Sequence, residues 1–316
     1  MKVLYIAGVG RSGSTLLERM LGAIPGAVNV GELNAIFSRV AMQDQRCGCG
    51  TPFSRCPFWA AVGEEAFGGW SEVTRRMADL QPRVVRQRHV PRMATGVASP
   101  TYLRELEEYL DVHHRLYRAV ASVSGADIVV DASKSTAQLF ALRRIEDLDL
   151  RILHLVRDSR GVAHSWGKAG VRKPQSADGD TMGTYPPHRL AVLWSALELE
   201  CGLLGSAAPY AARVRYEDLV ADPRPTLERA LTDVGLAPDG WLAHVGRHSV
   251  ALGHSHGIAG SRTRFVTGQI DLRLDDAWRS ALPAGARRVV TALTLPQLIH
   301  YGYVGGRPGA VAERVA

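Results

Sequence analysis

Residues 1–32 read MKVLYIAGVGRSGSTLLERMLGAIPGAVNVGE. Val3 to Ala7 is an apolar run with β-formers, the length of a buried strand. Gly8 to Thr15 follow as a loop of small residues with one charge, Arg11, and helix formers resume from Leu16 to Leu21. Glycines let backbone N–H groups approach an anion closely. A helix N-terminus adds unpaired donors and partial positive charge. The order strand, loop, helix therefore reads as a cradle for a phosphate-like group, against the plainer alternative of a strand-to-helix turn without a ligand.

Spacing sharpens this. Gly8 and Gly13 stand where G-x-x-x-x-G-K-[ST] has its glycines, and Thr15 takes the last place, but Ser14 replaces the lysine. Without that lysine the loop is poorly equipped for the β- and γ-phosphates of a nucleoside triphosphate. A P-loop kinase or a nucleotide-binding protein without catalysis is the alternative reading.

Composition fits this picture. The chain has 316 residues, 46% hydrophobic and 22% charged, with 38 basic against 31 acidic residues and net charge +7. That is enough for one large α/β domain or two small ones, and the modest positive excess suits an anionic ligand. No long Lys/Arg block or RNA-binding signature calls for nucleic acid. No apolar run reaches the length of a membrane span, and the N-terminal stretch does not read as a signal peptide, so the expected location is the cytoplasm. Four cysteines fit a reducing compartment. Cys47, Cys49 and Cys56 cluster without an evident fourth ligand, so they read as buried thiols in a compact loop ahead of a zinc site, with a Cys49–Cys56 bridge as a further alternative.

Outward from the loop, Val28-Asn29-Val30 reads as a second strand closed by Gly31-Glu32, ahead of a predicted helix over Leu33 to Met42. Glu32 thus falls at a strand's carboxyl end, where open α/β sheets gather ligands. Its plainer reading is a carboxylate serving the helix dipole. Helical pieces fill 71–120, with a basic patch (Arg83, Arg86, Arg88, His89, Arg92) that reads as a solvated surface and, second, as an acceptor site; His113 and His114 read as surface or half-buried. Asp127 to Asp131 is a strand running into Ser133-Lys134-Ser135, with a helix over Gln138 to Ile145. Arg151 to Val156 is the next strand, with His154 inside it as a structural residue; Arg157 sits at its end and Ser165 on the following helix. A guanidinium with a hydroxyl suits one phosphate. Residues 167–187 and 253–268 read as long flexible loops, as does 43–57; the second carries Arg262 and Arg264. Helices over His188 to Leu204, Arg224 to Val234 and Ala284 to His300 and a strand over Ala212 to Tyr216 complete the series. The alternation predicts one α/β domain over 1–316, a mainly parallel sheet with helices on both faces.

Four features in order carry a resemblance: Gly10-Arg11-Ser12-Gly13-Ser14-Thr15; Arg157 with Ser165; Arg215-Tyr216-Glu217-Asp218 running to Pro223; and the tail from Trp278 to Tyr301-Gly302-Tyr303. The chain resembles P-loop-like sulfotransferases, bacterial members and, more distantly, protein-tyrosine sulfotransferases. The resemblance implies the P-loop-NTPase-like sulfotransferase fold, the donor 3′-phosphoadenosine 5′-phosphosulfate (PAPS) and no required metal. It implies that Arg11, Ser12, Gly13, Ser14 and Thr15 hold the 5′-phosphosulfate, with Arg11 also meeting the reacting sulfuryl oxygens as a catalytic residue, and that Arg157 and Ser165 hold the 3′-phosphate, Tyr216 the adenine, and Arg262 or Arg264 the phosphates. Glu32 is the implied base, although the tyrosine sulfotransferases read Gly-Glu-Glu where this chain has Gly31-Glu32-Leu33. Lys134 is the implied stabiliser of the leaving or sulfuryl oxygen. The acceptor, a small molecule, glycan or peptide, is left open, as is the oligomeric state.

Overall fold

The computed structural model describes residues 1–168, 170, 181 and 183–305. Most of the predicted loop 167–187 lies outside the described residues. Five strands, β1 (Lys2–Gly8), β2 (Ala27–Gly31), β3 (Ile128–Lys134), β4 (Asp149–Val156) and β5 (Ala211–Arg215), form one sheet in the order β2-β3-β1-β4-β5. The pairings β1–β3, β2–β3 and β4–β5 are all parallel, and helices flank the sheet, as the alternation of elements predicts. Val3 to Ala7 are wholly buried, as expected of a parallel strand covered on both faces.

The chain divides into two compact units. The first takes Met1–Ala7, Thr15–Arg151 and Leu252–Gly268. The second takes 8–14, 152–251 and the described residues from 269 onward.

In the first unit, β2 and β1 flank β3, with Lys2 opposite Ile128 and Ala27 opposite the same residue. Its helices are α1 (Ser14–Leu21, whose first residue belongs to the second unit), α2 (Pro57–Phe67), α3 (Ser71–Val84), α4 (Val90–Thr95), α5 (Pro100–Ser124) and α6 (Thr136–Leu142). Ser99 caps α5 through its side chain to the Tyr102 N–H, with Pro at the first turn and Gly125 in the left-handed conformation at the far end. β3 runs three residues past its predicted end, and its register against β1 slips between Tyr5 and Ala7, so that Ala7 pairs with Lys134. Residues 33–42 do not form the predicted helix. Leu33–Ala35 is one 3₁₀ turn and Ile36–Ala41 one π turn. Asn34 is held from outside: its N–H donates to Ser133 Oγ (3.0 Å) and its carbonyl accepts from Gln81 (2.8 Å). His113, expected near the surface, is fully buried on α5; burial lowers its imidazole to about 4, so it is neutral in the core.

In the second unit, β5 pairs with the end of β4, Ile152 opposite Ala211. Its helices are α7 (Ser159–Gly167), α8 (Pro187–Ser206), α9 (Tyr216–Ala221), α10 (Pro223–Asp233), α11 (Trp278–Ala281) and α12 (Ala284–His300). Val156, Val162, Trp194, Val290 and Tyr301 share one apolar core there. His154 is structural, as expected: it is buried with Nε2 2.5 Å from Glu198. Two short strands, β6 (Ser249–Leu252) and β7 (Gly268–Asp271), pair separately. Among the described residues, no helix is long and apolar enough to cross a membrane.

Candidate active site

The chemistry-bearing residues collect in two groups, one in each unit.

The group in the second unit is built on the loop from Gly8 to Ser14. Three of its residues have positive φ: Gly8 (φ 143°), Arg11 (φ 73°) and Gly13 (φ 92°). Successive N–H groups in such turns make an anion-binding concavity. At Gly8 a side chain is impossible, since a Cβ would lie 2.3 Å from the Leu155 carbonyl oxygen. At Gly13 a Cβ would lie 2.6 Å from the Tyr216 ring, so that ring packs directly on the loop. Trp166 closes the other side, its indole N–H donating to the Gly10 carbonyl (3.1 Å). Ser12 is buried and its hydroxyl has no hydrogen-bond partner. A buried hydroxyl left without a partner costs free energy unless a ligand supplies one.

Around this loop the cations are close together. Arg11 Nε donates to Ser165 Oγ (2.9 Å), and Arg157 donates to the Arg11 carbonyl (2.9 Å). Arg157 also stacks over Tyr216, 4.4 Å from the ring centroid. The sequence points to two separate anion sites, Arg11 in the loop and Arg157 with Ser165 far along the chain. The structure joins them through Arg11 into one cluster. Burial lowers the Arg11 guanidinium from its usual range, and the charge of Arg157 adds to this. Asp275 closes the cluster, accepting from Arg157 through its carbonyl (2.9 Å) and its carboxylate (3.0 Å). Burial would raise the Asp275 carboxyl, but the hydrogen bond and charge of Arg157 outweigh it and hold the group low. Nothing in the sequence around Asp275 signals this partnership. The quoted tail also meets the Arg215-Tyr216-Glu217 segment: Tyr303 Oη donates to Glu217 (2.7 Å) and Arg215 lies over its ring. Arg160 stacks over Trp278 and holds the helix-capping Asp158 with two hydrogen bonds (2.9 and 2.6 Å).

The group in the first unit is a carboxylate–ammonium pair. Lys134 Nζ donates to Glu32 Oε1 (2.7 Å) and to the Ala132 carbonyl (2.8 Å). Arg39 stands 3.5 Å from the other Glu32 oxygen. Both members are mostly buried, with side-chain exposures of 14% and 17%, so solvent screens the pair little. Lys134 sits at φ 62°, a left-handed conformation that a lysine adopts only where its surroundings impose it. Asp131 provides the setting. It is buried, accepts from Tyr117 (2.5 Å), and takes both the N–H and the hydroxyl of Ser133 (2.7 and 2.5 Å).

Gly31 holds Glu32 from the other side. The Glu32 N–H donates to the Ile258 carbonyl (3.0 Å), and the Ile258 N–H donates to Val30 (3.0 Å). Thr15 Oγ1 accepts from the Ser261 N–H (3.1 Å), and a Cβ on Gly260 would lie 2.9 Å from it and 3.9 Å from Glu32. Glu18, which sequence reasoning missed, is buried on α1 and bonded to Asn29 (2.8 Å). Burial raises its carboxyl to about 7, against the opposing effects of Asn29 and Lys134.

The two arginines of the 253–268 segment differ. Arg264 is buried, with its guanidinium on the carbonyls of Ala259 and, at 3.1 Å, Arg46. Arg262 is exposed.

Comparisons with known proteins bear on the family and the fold. The model described as "Sulfotransferase family" matches residues 4–239. Over 183 residues the chain is 33% identical to carbohydrate sulfotransferase 5 of Mus musculus, which takes in 52% of this chain and 44% of that protein. The chain thus spans less than half the length of that curated relative. Among solved structures it is similar to the sulfotransferase domain of the Synechococcus PCC 7002 olefin synthase, with a TM-score of 0.51 and 20% identity over 94% of each chain. A sulfotransferase domain from the curacin biosynthetic pathway superposes with a TM-score of 0.48 and 16% identity over 92% of this chain and 96% of that one.

Proposed function

The chain belongs to the sulfotransferase family, and from that premise we propose that it transfers a sulfuryl group from PAPS to a hydroxyl or amine of a small-molecule, glycan or peptide acceptor. The observation that carries the reading is the cluster of Arg11, Ser165 and Arg157 around a left-handed loop whose buried Ser12 hydroxyl lacks a partner. Those donors suit an organic ligand rich in anionic oxygens.

In this reading the loop residues Arg11 to Thr15 hold the phosphosulfate end of the donor. Arg157 and Ser165 take its 3′-phosphate, with Asp275 giving up Arg157 as the donor enters. Tyr216, packed on Gly13 and under Arg157, presents an aromatic edge for the adenine. Arg262 is the exposed cation left to reach a phosphate. Arg264, named beside it from the sequence, is spent on backbone carbonyls and has a structural role.

Glu32 is the base. In the transfer the acceptor O–H or N–H bond breaks and its proton goes to Glu32. The acceptor atom bonds to sulfur, and the S–O bond to the donor's phosphate breaks with its electron pair staying on that oxygen. Lys134, released from Glu32 as the carboxylate takes the proton, turns its charge to the departing or sulfuryl oxygens. Positioning and charge stabilisation supply most of such a rate enhancement, and a placed base adds about 10²–10⁴-fold. No metal enters these steps. Four cysteines with no disulfide among them fit a reducing, cytoplasmic setting.

Two variants test the assignment. Arg157→Ala should weaken binding of 3′-phosphoadenosine 5′-phosphate, measured by calorimetry, by about tenfold or more. Glu32→Gln should bind it as the wild type does and lose about 10²-fold or more in turnover on any accepted substrate. Wild-type affinity in the first, or wild-type turnover in the second, removes that residue from its role.

A further inference from the structure

Cys47, Cys49 and Cys56 acquire in the fold the fourth partner that their sequence spacing lacked. Their sulfurs and the ring nitrogen of His256 all lie within 4.8 Å of one another. Cys56 Sγ is 3.6 Å from Cys47 Sγ and 3.7 Å from Cys49 Sγ. His256 Nδ1 is 3.3 Å from Cys56 Sγ and 3.6 Å from Cys47 Sγ. A tetrahedral zinc with Zn–S of about 2.3 Å and Zn–N of about 2.0 Å requires S···S edges of about 3.8 Å and S···N edges of about 3.5 Å. These four contacts already stand close to those edges. All four cysteines of the chain are free, and Cys56 Sγ, at 3.6 and 3.7 Å from its two neighbours, is not bonded to either.

We propose that Cys47, Cys49, Cys56 and His256 bind one structural zinc ion. Three thiolates and one imidazole form a closed tetrahedral set, with the soft donors that select zinc over magnesium or calcium. The scaffold is suited to it. Cys47 and Gly50 close a tight turn, the Gly50 N–H on the Cys47 carbonyl (2.9 Å), and Gly48 fits where a Cβ would lie 2.8 Å from the Ser255 carbonyl. The His256 ring is stacked on Phe58 (4.8 Å between centroids, 16° between planes), and its carbonyl accepts from Trp59 (2.9 Å). Thr51 Oγ1 stands 3.1 Å from Cys49 Sγ, placed to donate to a thiolate. Zinc with three thiolates carries one net negative charge, and the buried Arg264, bonded to the carbonyl next to Cys47, supplies the opposite one.

Such an ion ties the 43–57 loop to 254–258. Ile258, two residues beyond His256, holds the backbone on both sides of Gly31. The site is a staple behind Glu32 and takes no direct part in the transfer chemistry.

The test uses the full chain, produced with zinc in the medium and freed of any histidine tag. Elemental analysis should give about one zinc per chain. X-ray absorption at the zinc edge should give three sulfurs and one nitrogen, and cobalt exchanged into the site should show the intense visible bands of a tetrahedral thiolate complex. His256→Ala should retain less than about one tenth of the metal, and His256→Cys should restore it with a four-sulfur shell. Protein that is folded by circular dichroism and carries no zinc, with its thiols free or paired in a disulfide, overturns the proposal. So does a shell rich in oxygen, or full occupancy in His256→Ala.

Discussion

At Glu18 a single carboxyl is buried on α1 with Asn29 as its hydrogen-bond donor, and burial raises it to about 7. The native state therefore keeps this proton at pH values where the unfolded chain, with an ordinary carboxyl near 4.5, has released it. Native protein binds more protons than unfolded protein between about pH 4.5 and 7, so this group's contribution to stability falls as pH rises through that window. The difference is about 3 kcal/mol. Glu18→Gln keeps the acceptor for Asn29 and removes the titration. Its denaturation midpoint should exceed that of the wild type at about pH 8 and approach it at about pH 4.5. Parallel stability profiles for the two proteins would show that the group ionises without cost. No feature of the sequence flags Glu18, because Leu-Glu-Arg inside a helix reads as solvated surface until the packing of Asn29 is known.

Among the elements, the carboxyl end of β2 is the tightest fit. Gly31 has φ 81°, and a Cβ there would fall 2.0 Å from the Ile258 carbonyl oxygen. Gly31→Ala should cost about 2–4 kcal/mol in chemical denaturation, from backbone strain plus the lost approach of Ile258. Gly285→Ala is the matched control: nothing lies within 4 Å of its Cβ, it is exposed on α12, and it should stabilise by up to about 1 kcal/mol. Equal effects would mean that the Ile258 contact does not constrain β2. The strands themselves are legible, because strands buried on both faces read as uninterrupted apolar runs. Legibility fails where polar groups from distant segments take over the backbone. Ser133 and Gln81 hold Asn34 and replace a helix by two irregular turns, and Ser133 on Asp131 carries β3 beyond its apolar stretch.

For the whole molecule, the candidate site is readable where loop chemistry is local and unreadable where it depends on remote partners. Arg11, Glu32, Lys134, Arg157 and Ser165 all stand at strand ends or on the loop and helix that follow one. Their companions Asp275 and Ile258, and His256 beside Cys56, lie more than a hundred residues away in sequence from the groups they serve, beyond any periodicity. The left-handed backbone of Arg11 and Lys134 has an evolutionary corollary. Each such residue costs about 1 kcal/mol or more against glycine, so both positions trade fold stability for placement of a charge. A library selected only for survival of heating should enrich Gly or Asn at positions 11 and 134, and also in place of Ala259 (φ 55°), whose methyl carries no charge. Adding a requirement for sulfuryl transfer should purge the first two replacements and keep the third. Deep sequencing of the two pools measures this directly, and enrichment of Lys134→Gly in both would mean that the lysine is dispensable. Inheritance under the second regime would preserve two strained backbones that no pressure for robustness alone could maintain.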